Sequence, residues 1–365
     1  MNSIRAWTSF FLIIFRYMLS RLGLGRRPSF FDRKEEVTLV VHQMFRWRGR
    51  VRVLNGENCP SDGPAVFAAN HHKLDDPIDL WPGIVWSTGG RVYPRFMMRD
   101  DFFRGFPWDW LPVHPNHLCE MAGCVGISRD RVTPGQLRPF VDLLLRGDAF
   151  VMFPGRTRSR CGAWFEYQEP YTEPGSVGFL IALAQRRSPG LSVAAVPAAR
   201  TWHPARKYST IAFGAPLRLE APGDRAAQRD LDHRLLAAVG RLIEVHGVHL
   251  TAALLWRHCL HHGAAPVPVD TLAGAVSRWA DAAPDVCTAK EVKNDPEGEC
   301  ALALSWFARR GMLRMKNGLV LPDAGRILAA PPWDTRYRKA NPVKYWANQT
   351  LHLPEAAAWA ETAHL

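Results

Sequence analysis

The residues from Asn70 to Leu80 read NHHKLDDPIDL, which puts two histidines and three aspartates between positions 71 and 79. A neutral imidazole takes a proton from a hydroxyl near neutral pH. A carboxylate beside it fixes the tautomer and steadies the imidazolium that forms. Two pairings are open. His72 and Asp76, four positions apart, would meet on one helix face. His71 and Asp76 lie about 140° apart on a helix at ~100° per residue. They meet only if the histidine stands in a turn before a helix that the aspartate opens. Other uses explain less. A helix start at Asp76-Pro77 needs one carboxylate and neither histidine. A metal would draw on His71, His72, Asp75 and Asp76, but adjacent side chains seldom converge on one ion, and no HExxH spacing occurs. The second histidine group, His258 to His262, falls on an expected helix and reads as surface or satisfied side chains.

The elements around this stretch must position it. PAVFAAN, ending at Asn70, reads as a short buried strand. DPIDLWPGIVWS reads as a helix, with Asp76 as N-cap and Pro77 in the first helical position. Upstream, Phe45 to Val53 alternates apolar residues with arginines, and WRGRVRVLNGENCP (47–60) reads as a hairpin or strand with Asn55-Gly56 and Pro60 as turn signals. Downstream, RVYPRFMMRD, AFVMF, LSVAAVPAA and STIAFGAPLRLE read as strands, and PFVDLLLRGD and PGSVGFLIALAQRRSPG as helices. This alternation predicts an α/β fold, a mostly parallel sheet flanked by helices, with ligand chemistry at the strand ends. The strand AFVMF runs into a loop that holds Arg156, Arg158 and Arg160, a natural phosphate clamp.

These stretches resemble the glycerolipid acyltransferase superfamily. Asn70-His71, four residues and Asp76-Pro77 look like its first block, which implies His71 as general base and Asp76 as its partner. CVGISRD (124–130) resembles the second block and implies Arg129 as a substrate-phosphate ligand. FPGRTRSR (153–160) resembles the third and implies Arg156, Thr157, Arg158 and Ser159 as substrate-binding residues. Val196-Pro197 with AFGAPLRL resembles the fourth. The third block here carries Gly155 and Arg156 where the family has glutamate and glycine, and Lys73 stands where serine or arginine is common. Glu166, Glu169 and Glu173 are the nearby acids that could replace the missing glutamate. VKYWANQTLHL (343–353) is similar to a late stretch of some glycerol-3-phosphate acyltransferases. The resemblance implies transfer of an acyl group from acyl-CoA or acyl-carrier protein to a lysophospholipid hydroxyl. The favoured acceptor is 1-acylglycerol-3-phosphate, and glycerol-3-phosphate is the alternative. No metal or cofactor is implied beyond the acyl donor. No GxSxG nucleophile context is present, so direct transfer without an acyl-enzyme is expected.

Composition sets the wider frame. The chain has 365 residues, 47% of them hydrophobic, enough for a large domain and an accessory one. Its net charge of +12 favours anionic partners. Seven cysteines without a CxxC pair argue against a disulfide framework. Near the N-terminus, Arg5, Arg16 and Arg21 interleave with Trp7, Phe11, Ile14, Phe15 and Leu19, the pattern of a helix lying in an anionic membrane interface. Its apolar stretch is too short to span a bilayer. The expected place is therefore the cytoplasmic face of a membrane, peripheral or monotopic. From about residue 226 come an amphipathic helix, three more helical stretches, and GMLRMKNGLVLP with an Asn317-Gly318 hairpin signal, a winged-helix-like extension. Its expected recognition stretch, 271–285, offers only Arg278, so no nucleic acid is expected as partner. A third reading is a catalytically inactive membrane scaffold. The divisions are 1–28 as membrane-interface helix, 37–222 as acyltransferase domain and 226–365 as accessory domain.

Overall fold

A computed structural model of the chain describes residues 3–45, 50–99, 103, 110–111, 114–128, 133–155, 158–164, 176–330, 337–350 and 352–363. Helix α1 (Ser3–Arg21) and α2 (Lys34–Phe45) precede β1 (Val51–Leu54), β2 (Ala65–Ala69), α3 (Asp76–Ser87) and β3 (Arg95–Arg99). There follow α4 (Pro115–Met121), β4 (Val125–Ile127), α5 (Pro134–Leu145), β5 (Ala149–Met152), α6 (Val177–Arg187), β6 (Ala194–His203), β7 (Tyr208–Phe213) and α7 (Arg225–Arg241). The seven strands form one sheet in the order β1-β7-β6-β2-β5-β3-β4. All neighbours are parallel except β6 and β7. Strand β2 is central, and all five of its residues are buried, as a strand covered on both faces requires. Val66 and Ala68 join Phe140, Phe150, Leu180 and Ile181 on one face. Ala65, Phe67 and Ala69 join Leu80, Ile84, Val196 and Phe213 on the other.

Of the two forms expected over 47–60, the structure has the strand and not the hairpin: helix α2 runs to Phe45, and Val51–Leu54 is extended and paired parallel to β7. Asn55 turns the chain instead, in the left-handed region at φ 53°, which asparagine tolerates. Helix α7 also sits differently from the expected division. Its Leu231 and Leu235 lie in the same cluster as Val66 and Phe150, so it is a layer of the α/β unit. Gly178 lets it approach: a Cβ there would meet the Gln228 carbonyl oxygen at 2.4 Å. The Asp232 carboxylate accepts the Gly178 N–H at 2.9 Å, at the positive end of α6.

The C-terminal unit comprises α8 (Gly247–His262), β8 (Val267–Pro268), α9 (Val269–Ser277), α10 (Trp279–Ala282), α11 (Lys290–Asn294), α12 (Pro296–Ala308), β9 (Leu313–Lys316) and β10 (Leu319–Pro322). After these come α13 (Ala324–Leu328), α14 (Tyr337–Ala340), α15 (Pro342–Asn348) and α16 (Pro354–Thr362). The small sheet has the antiparallel order β8-β10-β9, so three helices and a hairpin follow the winged-helix path. Asn317 and Gly318 both have positive φ, as a type I′ turn demands. The third helix of that path is α12 rather than the stretch 271–285. It carries no lysine or arginine and buries Glu299, Cys300, Leu304 and Phe307.

Helix α1 is partly packed on its own domain. Ile13 and Tyr17 meet Phe30, Val37 and Met121, and Trp7 donates to Gln43 Oε1 at 2.7 Å. The other face leaves Ile4, Phe11, Leu12, Phe15, Met18 and Leu22 exposed. Among the described residues, no helix is long and apolar enough to cross a membrane.

Candidate active site

The chain leaves β2 at Ala69 and enters α3 at Asp76, so His71 stands in the intervening turn. Asp75 takes the N-cap position and Asp76 is already in the first turn, so the helix starts one residue earlier than the sequence suggests. That shift frees the Asp76 carboxylate to reach back. Its Oδ2 accepts His71 Nδ1–H at 2.9 Å and the main-chain N–H groups of His72 and Lys73 at 2.8 Å each. The open choice between the two histidines thus resolves onto His71. The bond to Nδ1 leaves Nε2 as the atom able to take a proton. The ring stacks on Phe153 at the end of β5, with centroids 4.2 Å apart.

His72 does something else. Its Nε2–H donates to the Ala163 carbonyl at 3.2 Å, and its Nδ1 accepts from the Asn70 amide at 3.2 Å. Burial pushes this imidazole down to about 4 against the pull of Asp76, so it is neutral at pH 7. It is a strut between the β2 end and the arginine loop. Asn70 is locked in turn, accepting from Arg200 N at 2.8 Å and donating to Arg200 O at 3.1 Å.

Arg200, on β6, was not marked by any motif. Parallel pairing sets Ala69 opposite Ala198, so His71 and Arg200 stand two residues beyond at the same level. Arg200 NH1 lies 3.1 Å from Asp76 Oδ1, an ion pair without hydrogen-bond alignment. Its Nε donates to Asp79 Oδ2 at 3.0 Å, and the Ser209 hydroxyl donates to the same oxygen at 2.7 Å. Burial pushes the Asp76 carboxyl up, but Arg200 and the His71 bond outweigh it and bring the pKa to about 2. Asp76 is therefore a fixed anion at neutral pH. A lone arginine in the apolar run LSVAAVPAAR was the available signal, since a buried guanidinium needs carboxylates. Lys73 lies 3.4 Å from Asp75 and 4.2 Å over the Trp202 ring.

The arginine loop comes to the same place. Ser159 N–H donates to the His71 carbonyl at 2.8 Å. Ser159 itself is buried, and its hydroxyl accepts the Gly162 N–H at 3.0 Å. That bond shapes the loop from within. Arg158 and Arg160 are half-buried on this loop. Arg129, Arg156 and Thr157 lie outside the described residues, as do Glu166, Glu169 and Glu173. From the other side, the Asn348 amide donates to the Cys161 carbonyl at 2.9 Å, and Tyr337 N–H donates to the Arg160 carbonyl at 3.1 Å. Helix α15 is thus a wall of the loop, a part of the site for which the 343–353 stretch was the only sequence signal. Among the described residues, no group of three or more His, Cys, Asp or Glu side chains is arranged to hold a metal.

This arrangement holds an imidazole against an ionised aspartate beside an arginine-bearing loop, which suits base chemistry on a hydroxyl near an anion. Comparison with known proteins bears on the same stretch. Residues 50–185 match the family model described as Acyltransferase. No curated protein matches the chain. A solved structure of the 1-acyl-sn-glycerophosphate (LPA) acyltransferase PlsC from Thermotoga maritima is 18% identical, with a TM-score of 0.37. That similarity covers 65% of this chain and 94% of the other. The family match spans the strand, turn and helix that carry His71 and Asp76, so it is the stretch 50–185 that is similar to the acyltransferases.

Proposed function

We propose that this protein moves a fatty acyl group from acyl-CoA or acyl-carrier protein to a hydroxyl of a phosphate-bearing lysolipid, with 1-acylglycerol-3-phosphate favoured. The observation that carries the reading is the 2.9 Å bond from His71 Nδ1 to a carboxylate already fixed by two main-chain N–H groups. In the proposed step, His71 Nε2 takes the acceptor hydroxyl proton as the oxygen attacks the thioester carbonyl. The new C–O bond forms, the C–S bond breaks, and the thiolate recovers the proton from the imidazolium. The step uses no metal and no acyl-enzyme. Arg158 binds the acceptor phosphate, joined by Arg129, Arg156 and Thr157 of the matched blocks.

Membrane attachment completes the proposal. The exposed Phe11, Leu12, Phe15 and Met18 of α1, beside exposed Arg5, Arg16 and Arg21, fit the boundary of an anionic bilayer on the cytoplasmic face. A second reading takes glycerol-3-phosphate as acceptor. It is favoured by the contact of α15, within the stretch similar to those enzymes, with the arginine loop.

The test is thiol release from palmitoyl-CoA by purified protein on anionic vesicles, with lysophosphatidate and glycerol-3-phosphate offered separately. Release that depends on lysophosphatidate and disappears in His71→Ala is the expected result. Release with glycerol-3-phosphate alone selects the second reading. Release that survives His71→Ala overturns the mechanism. Vesicle binding without release by folded protein points to the scaffold.

A further inference from the structure

Arg200 is 2% exposed and faces three carboxylates at once. It touches Asp79 through Nε at 3.0 Å, Asp76 through NH1 at 3.1 Å and Asp75 through NH2 at 3.9 Å. Lys73 supplies one more cation, 3.4 Å from Asp75. Three carboxylates against two cations leave one negative charge behind the His71 ring. The remaining groups around the ring come from other elements. The turn gives His72, and the end of β5 gives Phe153, which is apolar. The loop gives Arg158, Arg160 and Cys161, β7 gives Ser209, and α15 gives the buried Tyr345.

We propose that Arg200 is a positioning residue for the acyl-transfer base, setting a single net negative charge behind His71 that the imidazolium cancels when the ring takes the hydroxyl proton. The inference rests on His71 being that base. Too much negative charge would hold the proton on the ring of the resting enzyme. Too little would leave the imidazolium uncompensated during transfer. Asp76 alone supplies the orienting bond, and Arg200 with Asp79 sets the charge behind it. Arg200 also fixes the turn through its two main-chain bonds to Asn70.

The test is the pH dependence of kcat/KM for thiol release from palmitoyl-CoA with lysophosphatidate. Activity rises through an acid limb as the base loses its proton. Arg200→Met removes a cation, and the limb is expected to move up by about one pH unit. Asp79→Asn removes an anion of nearly the same shape, and the limb is expected to move down by about as much. The double variant restores the charge count, and its limb is expected near the wild-type position. Arg200→Lys is expected to hold the limb in place. Circular dichroism establishes which variants are folded. Should Arg200→Met fail to fold, Asp79→Asn and the double variant decide the question by themselves. Folded variants with slower turnover and unmoved limbs would reduce Arg200 to a structural part and overturn the proposal. A wild-type profile without an acid limb overturns it as well. Activity that survives His71→Ala is a separate failure, that of the base itself.

Discussion

Gly162→Ala tests whether the arginine loop is held against the C-terminal unit. Gly162 has φ 98°, and a Cβ there would lie 2.0 Å from the main-chain oxygen of Tyr345 in α15. A carbon and a carbonyl oxygen need about 3.3 Å, so alanine must part the two by about 1 Å. A separation of that size breaks the Asn348 to Cys161 bond of 2.9 Å and pulls on the Ser159 N–H to His71 carbonyl bond of 2.8 Å. The strained backbone and one lost net hydrogen bond together cost about 3 kcal/mol of stability. A 1 Å misplacement of binding groups can cost about 100-fold in rate. The expected result is a folded protein whose kcat/KM for lysophosphatidate falls about 100-fold, mostly through KM. Gly147→Ala is the control. It has a similar φ of 79°, but nothing lies within 4 Å of its Cβ position. It is expected to lose only the backbone term and to keep KM. The assay is thiol release over a range of acceptor concentrations, with thermal melts of both variants. An unchanged acceptor KM in folded Gly162→Ala refutes the reasoning that α15 positions the loop.

Three further outcomes follow from the same geometry. Asp76→Asn is expected to lower kcat by about 10³–10⁴-fold, since an amide cannot fix the tautomer and also face Arg200; a loss under tenfold would refute the pairing. Burial holds His72 down to about 4 and His249 down to about 3, while the unfolded chain takes these protons near 6.5. The unfolded state therefore binds more protons below that pH, and each residue removes about 2 kcal/mol of stability between pH 7 and pH 5. Urea melts at the two pH values are expected to show this loss, and His72→Gln to reduce it; an equal loss in the variant would refute the assignment. Phe11→Asp with Phe15→Asp is expected to abolish co-sedimentation with anionic vesicles while thermal stability stays within about 1 kcal/mol, since both rings are exposed. Binding that survives the pair refutes the interfacial role of α1.

How much of this was legible in the sequence depended on distance along the chain. The turn from Asn70 to Asp76 is local, and Asp-Pro marks its end, so spacing and helix geometry narrowed the site to two pairings, of which the resemblance implied His71 with Asp76. The Asn317-Gly318 hairpin was equally local. Helix α2 was missed because no stop signal separates its apolar residues from the alternating stretch that follows, and the two read as one apolar run. Arg200 lies 130 positions from Asn70, its bonding partner, and Asn348 lies 187 from Cys161. Neither carries periodicity, and only charge bookkeeping on the buried run before Arg200 could have drawn it in.

The C-terminal unit follows a winged-helix path, yet its third helix is turned toward the sheet rather than toward a ligand. Glu299 of α12 bonds His203 at 3.0 Å and pairs with Arg206, both from the β6 end. The buried rings of His203 and His246 stack between the two units at 4.4 Å. A helix that reads nucleic acid must be exposed and basic. Here the helix is buried and acidic, and the same unit extends α14 and α15 onto the arginine loop. Breaking the Glu299 contacts should therefore be felt at the acceptor site, through α14 and α15, which follow α12 in the same unit and bond the loop that carries Arg158. Glu299→Gln removes the charge but keeps the shape, so the prediction is a raised acceptor KM with the donor KM unchanged. Equal changes in both would mean that the C-terminal unit supports the fold as a whole and not the loop.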